Sequence, residues 1–356
     1  MRLLLVDGHY YAYRSFYAIR HLTNSRGEPT NALYGLAKAL KRMIAELRPD
    51  AAAFILDGGL DARIELQPDY KANRSETPPD LLAQFDHLGD VARVLGFTPI
   101  CVDGEEADDL IASYAREASR RGVEVVIATN DKDIMQLVGP GREPGHGAIT
   151  IYQPVTGGGV AGAPDFALLD AAAVFDKWGV PPERIGDLLT LTGDAVDNIP
   201  GVPGVGPKTA ATLITQHGTL DLLLALLDAD PDGASPGLKA KIKSDKLRAA
   251  LCAAHRSGHL ARNRVMVSLR DALALPVPLD GLALRPDFAA QAALFARFEF
   301  KTFQREAEAR LLVPGAAPSA LPASPAPLPP PAPAAPAVPF APPSSKGPLV
   351  QGDFLL

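Results

Sequence analysis

The sequence predicts an α/β fold, a mainly parallel central sheet flanked by helices, with a helical subdomain after it. Three observations carry this expectation. Short apolar runs that end in an acid recur through the first half: Leu3–Val6 before Asp7, Ala51–Leu56 before Asp57, and Glu124–Ala128 before Asp131. Segments of helical period lie between them. Beyond Asp170 the strand signals stop and helical patterning continues to about Phe303. Strands alternating with helices imply right-handed crossovers and parallel pairing. Ligands of such sheets collect beyond the carboxyl ends of the strands, where Asp7, Asp57 and Asp131 are expected.

The elements follow in order. Asn31 is expected to cap a helix that carries Leu33, Leu36, Leu40, Ile44 and Leu47 at helical spacing, and Pro49 stops it. The polar stretch Gly58–Pro79 lacks periodicity. Asp80 opens a helix that closes at Gly96, Thr98–Val102 is a further strand, and a helix runs from Glu106 to Arg121 before Gly122. The segments Gly139–Gly147 and Gly157–Gly162 read as surface loops.

Composition narrows the class. Of 356 residues 47% are apolar, enough for a sizeable core. Cys101 and Cys252 stand far apart with no CxxC spacing, so neither a disulfide framework nor a zinc site is suggested, and a reducing, cytoplasmic setting is expected. Asp7 follows only four apolar residues, unlike a signal peptide. No apolar run approaches the roughly 20 residues of a membrane helix. The 34 prolines concentrate in a tail without any charge between Leu311 and Ser345, which reads as disordered and partly polyproline II.

Nine acids stand out: Asp7, Asp57, Glu106, Asp108, Asp109, Asp131, Asp133, Asp194 and Asp197. Glu106, Asp108 and Asp109 open one helix and would repel one another without cations among them. Asp131 and Asp133 flank Lys132, and the i, i+3 spacing of Asp194 and Asp197 predicts one face of a helical turn. The helix macrodipole would account for any one such pair, but not for all of them at element ends. Oxygen-only ligands select hard cations, so Mg²⁺ or Mn²⁺ is expected. Two such ions about 4 Å apart activate a water and stabilise the leaving oxygen of a phosphodiester. The net charge of −6 hides this division, because removing nine of the 41 acids leaves 32 against 35 basic residues. That mildly basic remainder suits a phosphate backbone.

Basic elements accompany the acids. Tyr70-Lys71-Ala72-Asn73-Arg74, preceded by Arg63, puts cations and an aromatic after Asp57. Lysine and arginine stabilise a scissile phosphate, and an aromatic stacks on an unpaired base. Gly201–Ala210 reads as a helix–hairpin–helix whose Gly204, Gly206, Lys208 and Thr209 would meet a DNA phosphate at a helix N-terminus. Pro207 separates Gly206 from Lys208, so this is no nucleotide-binding P-loop. Lys239, Lys241, Lys243, Lys246 and Arg248 read as a solvated helix face.

Taken together, LLLVDGHYYAYRSFYA, SRGEPTNALYG, YKANR, GEEADDLIA, ATNDKDIMQLV and LTGDAVDNIPGVPGVGPKTA resemble, in that order, the 5′-nuclease domain of bacterial family-A DNA polymerases, within the flap endonuclease superfamily. The resemblance runs from about Leu3 to Leu312. It implies a metal-dependent 5′→3′ exonuclease or flap endonuclease, built as a nuclease core over 1–169 with an arch around 60–80. A helical DNA-binding subdomain over 170–312 would follow, with its helix–hairpin–helix around 190–217. By the resemblance, Asp7, Asp57, Glu106 and Asp108 hold one metal with Asp109 nearby, and Asp131, Asp133, Asp194 and Asp197 serve the second. Lys71 and Arg74 contact the scissile phosphate, while Tyr70 and Arg14 guide the substrate. Flapped or nicked duplex DNA, and RNA primer–DNA hybrids, are the implied substrates of a monomer. A non-catalytic junction-binding factor is the alternative, and the filled carboxylate positions speak against it. No polymerase segment follows Leu312, so the chain reads as a stand-alone 5′-nuclease.

Apolar residues return after the linker at 313–345. Within 346–356, Gln351-Gly352-Asp353-Phe354-Leu355 looks like the peptides by which bacterial proteins dock on the sliding clamp, with Gln351, Phe354 and Leu355 as the contacts. A tether of this composition spans roughly 100 Å at about 3.1 Å per residue.

Overall fold

Side chains alternate across a strand, so a strand that is apolar at every position must be buried on both faces. Leu3 and Leu5 enter one core while Leu4 and Val6 enter another. The computed structural model, which describes residues 1–154 and 166–312, shows these two cores on opposite sides of one sheet. Its strands are β1 (Arg2–Asp7), β2 (Ala51–Ile55), β3 (Thr98–Ile100), β4 (Glu124–Ala128), β5 (Ile149–Pro154) and β6 (Phe166–Leu169). They lie in the order β3-β2-β1-β4-β5-β6, parallel throughout except for the β5–β6 pair. The predicted parallel sheet is therefore present. The sequence reading lacked β5 and β6, short strands at one edge whose pairing with β4 and with each other defines them.

The order reverses at β1, which has β2 on one side and β4 on the other. This is the switch point where a crevice opens beyond the strand ends. One face is covered by the helix Ala107–Arg120, and its core continues into the helical region through Leu188, Leu213, Leu251 and Val267. The other face is covered by the helices Gly8–Ala18, Asn31–Leu47 and Leu88–Val94. Phe295, Phe300 and Phe303, from the helices Phe288–Arg297 and Lys301–Leu311 and the turn between them, return to this second core.

Local structure departs from the sequence reading in three places. The helix expected from Asp80 to Gly96 is two helices, Pro79–Phe85 and Leu88–Val94. Asn31 does not cap the helix Asn31–Leu47. It is the first helical residue, and its amide donates to the carbonyls of Phe16 and Ile19. Buried Gln84 supplies the missing acceptor, taking the N–H groups of Ala32 and Leu33 at 2.9 and 3.2 Å. Third, Asp194 and Asp197 do not share a helical turn. Asp194 ends the first strand and Asp197 lies in the turn of a two-stranded antiparallel ribbon, β7 (Gly193–Asp194) and β8 (Ile199–Pro200), between the helices Ile185–Thr192 and Pro207–His217. Cross-strand pairing of Gly193 with Pro200 overrides the i, i+3 spacing there. Residues 139–147 form the expected loop, whereas the predicted 157–162 loop and everything after Leu312 lie outside the described residues.

Candidate metal centre and nucleic-acid surface

β1 passes directly into the helix Gly8–Ala18, so Asp7 ends the strand and caps the helix at once. Its Oδ1 accepts from the Tyr10 N–H at 3.0 Å and its Oδ2 from the Thr129 hydroxyl at 3.0 Å. Burial pushes the Asp7 carboxyl up to about 6 against the pull of the Tyr10 N–H, and the Asp57 and Asp131 charges add to the rise. Asp57 follows β2. Its Oδ1 accepts from the Ala107 N–H at 2.8 Å and its Oδ2 lies 3.3 Å from His9 Nδ1. Burial alone would raise this carboxyl, but His9, the Ala107 N–H and Lys71 outweigh it and hold it below the usual range. The adjoining loops touch at Gly58, where a Cβ would fall 1.9 Å from the Val102 carbonyl oxygen. That contact holds the end of β2 against the N-terminus of the Asp108 helix.

Asp108 lies among Asp131, Asp7 and Asp57, and burial followed by their repulsion pushes its carboxyl well above the ordinary value. Asp131 is raised for the same reasons, burial first, despite the Asp133 N–H that it accepts at 2.8 Å. Asp133 is likewise pushed well above the ordinary value, by burial first and then by Asp131, Asp194 and Asp197, against the pull of Lys132. Its Oδ1 is buried without a hydrogen-bond partner. Among the described residues, Asp133, Asp194 and Asp197 form the one acidic cluster in which an oxygen from each residue lies within 4.8 Å of the others. An orphaned carboxylate oxygen in an all-oxygen, mutually repelling set fits a hard divalent cation. Asp7, Asp57, Asp108 and Asp131 are electrostatically joined to this cluster without being gathered as tightly.

Basic side chains cover the acids. Lys132 Nζ is 2.9 Å from Asp194, Arg74 is 2.6 Å from Asp197, and buried Lys71 is 2.5 Å from Glu106. Burial would lower the Lys71 ammonium, but Asp197, Glu106 and Asp108 raise it, so it stays charged. The segment 67–74 is stitched to the ribbon turn. The Lys71 N–H donates to Asp197 O (3.1 Å), the Asn73 amide to Ala195 O (2.7 Å), and Gln67 to Asn198 O (2.7 Å). Lys71 and Asn198 both adopt left-handed backbone, φ 56° and 59°, on the two sides of this seam. Strain of about 1–3 kcal/mol at such positions persists only where neighbours impose it.

Several predicted site residues are placed differently. Arg63 is no surface cation. It is 7% exposed and ion-paired with Glu106 and Asp109. Tyr70 is buried rather than available for stacking, with its hydroxyl 3.3 Å from both Glu106 and Asp197. Asp109 is 1% exposed, and both its oxygens face Arg63. In each case a packed neighbour captures a side chain that the sequence assigned to metal or DNA. Arg14 sits on the helix behind Asp7, its guanidinium 5.7 Å from the Phe166 ring. Thr129, His9 and Lys132 were missed as site residues. Thr129 had a signal, since it stands between the strand β4 and Asp131, where its hydroxyl donates to Asp7 and accepts the Asp131 N–H.

The glycine hairpin is exposed. Gly204 has φ 81° and, like Gly206, nothing within 4 Å of a Cβ position. Gly206 starts the helix Pro207–His217 with no side-chain cap, so the free N–H groups of its first turn are open to an anion. Lys208 is exposed and Thr209 half-buried beside them, while Val202 and Val205 anchor the turn from inside.

An all-oxygen cluster suited to a hard divalent cation, set beside lysines and arginines able to hold a phosphate, is the arrangement of a metal-dependent nuclease. The chain belongs to the 5′-3′ exonuclease family. Residues 2–179 match its N-terminal resolvase-like domain and residues 180–289 its C-terminal SAM fold. DNA polymerase I of Chloroflexus aurantiacus is 41% identical over 232 residues, covering 64% of this chain and 24% of that protein. DNA polymerase I of Pseudomonas aeruginosa is 38% identical over 307 residues, 85% of this chain and 31% of that one. The chain thus spans about a quarter to a third of these relatives' length. Among solved structures, T5 5′-exonuclease with bound zinc superposes with a TM-score of 0.58 at 20% identity, over 87% of this chain and 99% of that one. The catalytic core of Rad2 in complex with DNA gives 0.53 at 16% identity, over 88% and 91%. At these identities the likeness is one of fold.

Proposed function

We propose that this chain hydrolyses DNA phosphodiesters at flaps, nicks or primer junctions, acting from the 5′ side with bound Mg²⁺, for which Mn²⁺ can substitute. The observation that carries the reading is the Asp133–Asp194–Asp197 cluster, with its unpartnered Asp133 oxygen, beside the switch point of the sheet. In this reading Asp133, Asp194 and Asp197 hold one ion, with Asp131 between them and a second ion at Asp7, Asp57 and Asp108. Bound divalent ions supply an activated water and neutralise charge at the phosphate. Glu106 orients Lys71 through their ion pair. Lys71 and Arg74, at the rim of the acids, bind the non-bridging oxygens of the scissile phosphate and stabilise the added charge. Gly204, Gly206, Lys208 and Thr209 hold the duplex by its backbone, without base preference.

A 5′-labelled flap substrate with Mg²⁺ tests this reading, comparing wild type with Asp131→Asn. Cleavage by wild type alone is expected. Binding without cleavage by wild type would overturn the enzymatic reading, and equal cutting by the variant would overturn the site. The same assay on an RNA-primed strand tests primer removal. Sliding-clamp docking through Gln351, Phe354 and Leu355 rests on sequence alone. Equal recovery of wild type and the Gln351→Ala/Phe354→Ala double variant on immobilised clamp would sink that part.

A further inference from the structure

We infer that Arg63 is a positioning residue for the metal centre: it holds the Glu106–Asp109 turn against the helical region and so sets the acids of that turn, without touching DNA. The inference rests on the proposed nuclease reading and deepens it at one residue.

All five guanidinium N–H groups of Arg63 are used. Nε donates to the Met266 carbonyl at 3.2 Å. One terminal nitrogen donates to Glu106 at 2.5 Å and Asp109 at 2.9 Å, and the other to Asp109 at 3.0 Å and the Ser268 carbonyl at 3.1 Å. Asp109 also accepts the Arg270 N–H at 3.0 Å. Three parts of the chain therefore meet at one buried side chain: the short helix Asp61–Leu66 after β2, the first turn of the helix carrying Asp108, and the segment that leaves the helix His259–Val267. Asp108 stands beside the clamped Asp109, so its direction follows from how that turn is held. Glu106 receives Arg63 on one oxygen and Lys71 on the other. The same contact thus fixes an acid of the site and the lysine proposed to meet the phosphate.

Only arginine satisfies this arrangement. Lysine keeps the charge but has three donors at a single point and cannot reach both carboxylates and both carbonyls. Groups that orient metal ligands from behind are worth about 10- to 100-fold in metal affinity or activity.

The test is R63K with three measurements: Mn²⁺ titrated into the DNA-free protein and followed by electron paramagnetic resonance, the Mg²⁺ requirement of flap cleavage, and flap-DNA affinity in EDTA. The expected result is roughly 10-fold weaker Mn²⁺ binding, a matching rise in the Mg²⁺ needed for half-maximal cleavage, and unchanged DNA affinity. A fall in DNA affinity with metal binding intact would make Arg63 a DNA contact and overturn the inference. So would a lowered melting temperature with both metal titrations at wild-type values, which is what a purely structural role gives. If R63K lacks a cooperative unfolding transition, D109N, which removes the bidentate partner, is put through the same titrations under the same criteria. Wild type that binds Mn²⁺ but cuts nothing breaks the nuclease reading alone. Normal wild-type cutting with unaltered metal affinity in the variants breaks this inference alone.

Discussion

The acids at the strand ends and the acids of the ribbon turn are held in opposite ways. Asp7 and Asp57 each have their own donors, Tyr10 N–H and the Thr129 hydroxyl for one, Ala107 N–H for the other, whose second oxygen lies 3.3 Å from His9 Nδ1. These are strand termini in a rigid sheet, and their oxygens are placed before any ion arrives. Asp133, at the start of the short helix Asp133–Leu137, and Asp194 and Asp197, from the ribbon, instead come together from distant segments, with one oxygen of each within 4.8 Å of the others. Lys132 and Arg74 offset part of their charge, and one oxygen of Asp133 has no partner. The first group is positioned by the fold. The second is a set of like charges crowded together by packing, and that difference can be measured.

The largest effect is expected from Asp133→Asn, which removes the carboxylate whose Oδ1 has no hydrogen-bond partner. Cleavage should fall on the order of 10³-fold, while flap-DNA affinity in EDTA holds or rises. A loss below ten-fold would mean that the ribbon cluster does not serve the chemistry. Next in size is the effect of metal on stability. Because the acids repel one another in the folded state, Mg²⁺ at about 100 times its dissociation constant should add about 2.7 kcal/mol, raising the melting temperature by several degrees. The gain should shrink sharply in Asp133→Asn. An equal gain in both proteins would place the stabilising ion elsewhere.

Thr129→Val is the matching probe of the strand-end group. It removes the hydroxyl from Asp7 but leaves the Tyr10 N–H, so activity should drop by only about ten-fold and the Mg²⁺-linked stabilisation should persist. If this variant loses as much as Asp133→Asn, the two groups are not held differently. Lys208→Ala should have the smallest effect. It leaves both metal groups untouched, weakens binding equally for all duplex sequences, and lowers the slope of log affinity against log salt by about one. A sequence-dependent loss would contradict backbone recognition at the hairpin.

Much of this was legible in the residues. Apolar runs closed by an acid gave β1, β2 and β4 and the place of Asp7, Asp57 and Asp131, because a strand buried on both faces must be apolar throughout and an ionised group can stand only where it ends. The glycine hairpin was legible because φ 81° at Gly204 and an uncapped helix start are local requirements. Partnership was not legible. Arg63 and Tyr70 read as surface groups beside Lys71 and Arg74, yet the fold buries both against Glu106, and spacing along the chain carries no record of which carbonyl or carboxylate will be nearby. For the same reason Asp194 and Asp197 read as a helical pair, when the pairing of β7 with β8 sets Asp194 at a strand end and Asp197 in the turn after it.

By itself, then, the sequence determined the kinds of group present and the ends of the elements that carry them: oxygen donors at strand termini, a basic segment after Asp57, and a glycine turn ahead of a helix. Only the tertiary structure decided which of the nine acids crowd into one oxygen cluster and which are held by Arg63. The reason is that ion pairs and ligand clusters join residues up to more than a hundred positions apart, and charge repulsion at that range is resolved by packing, not by neighbours in the chain.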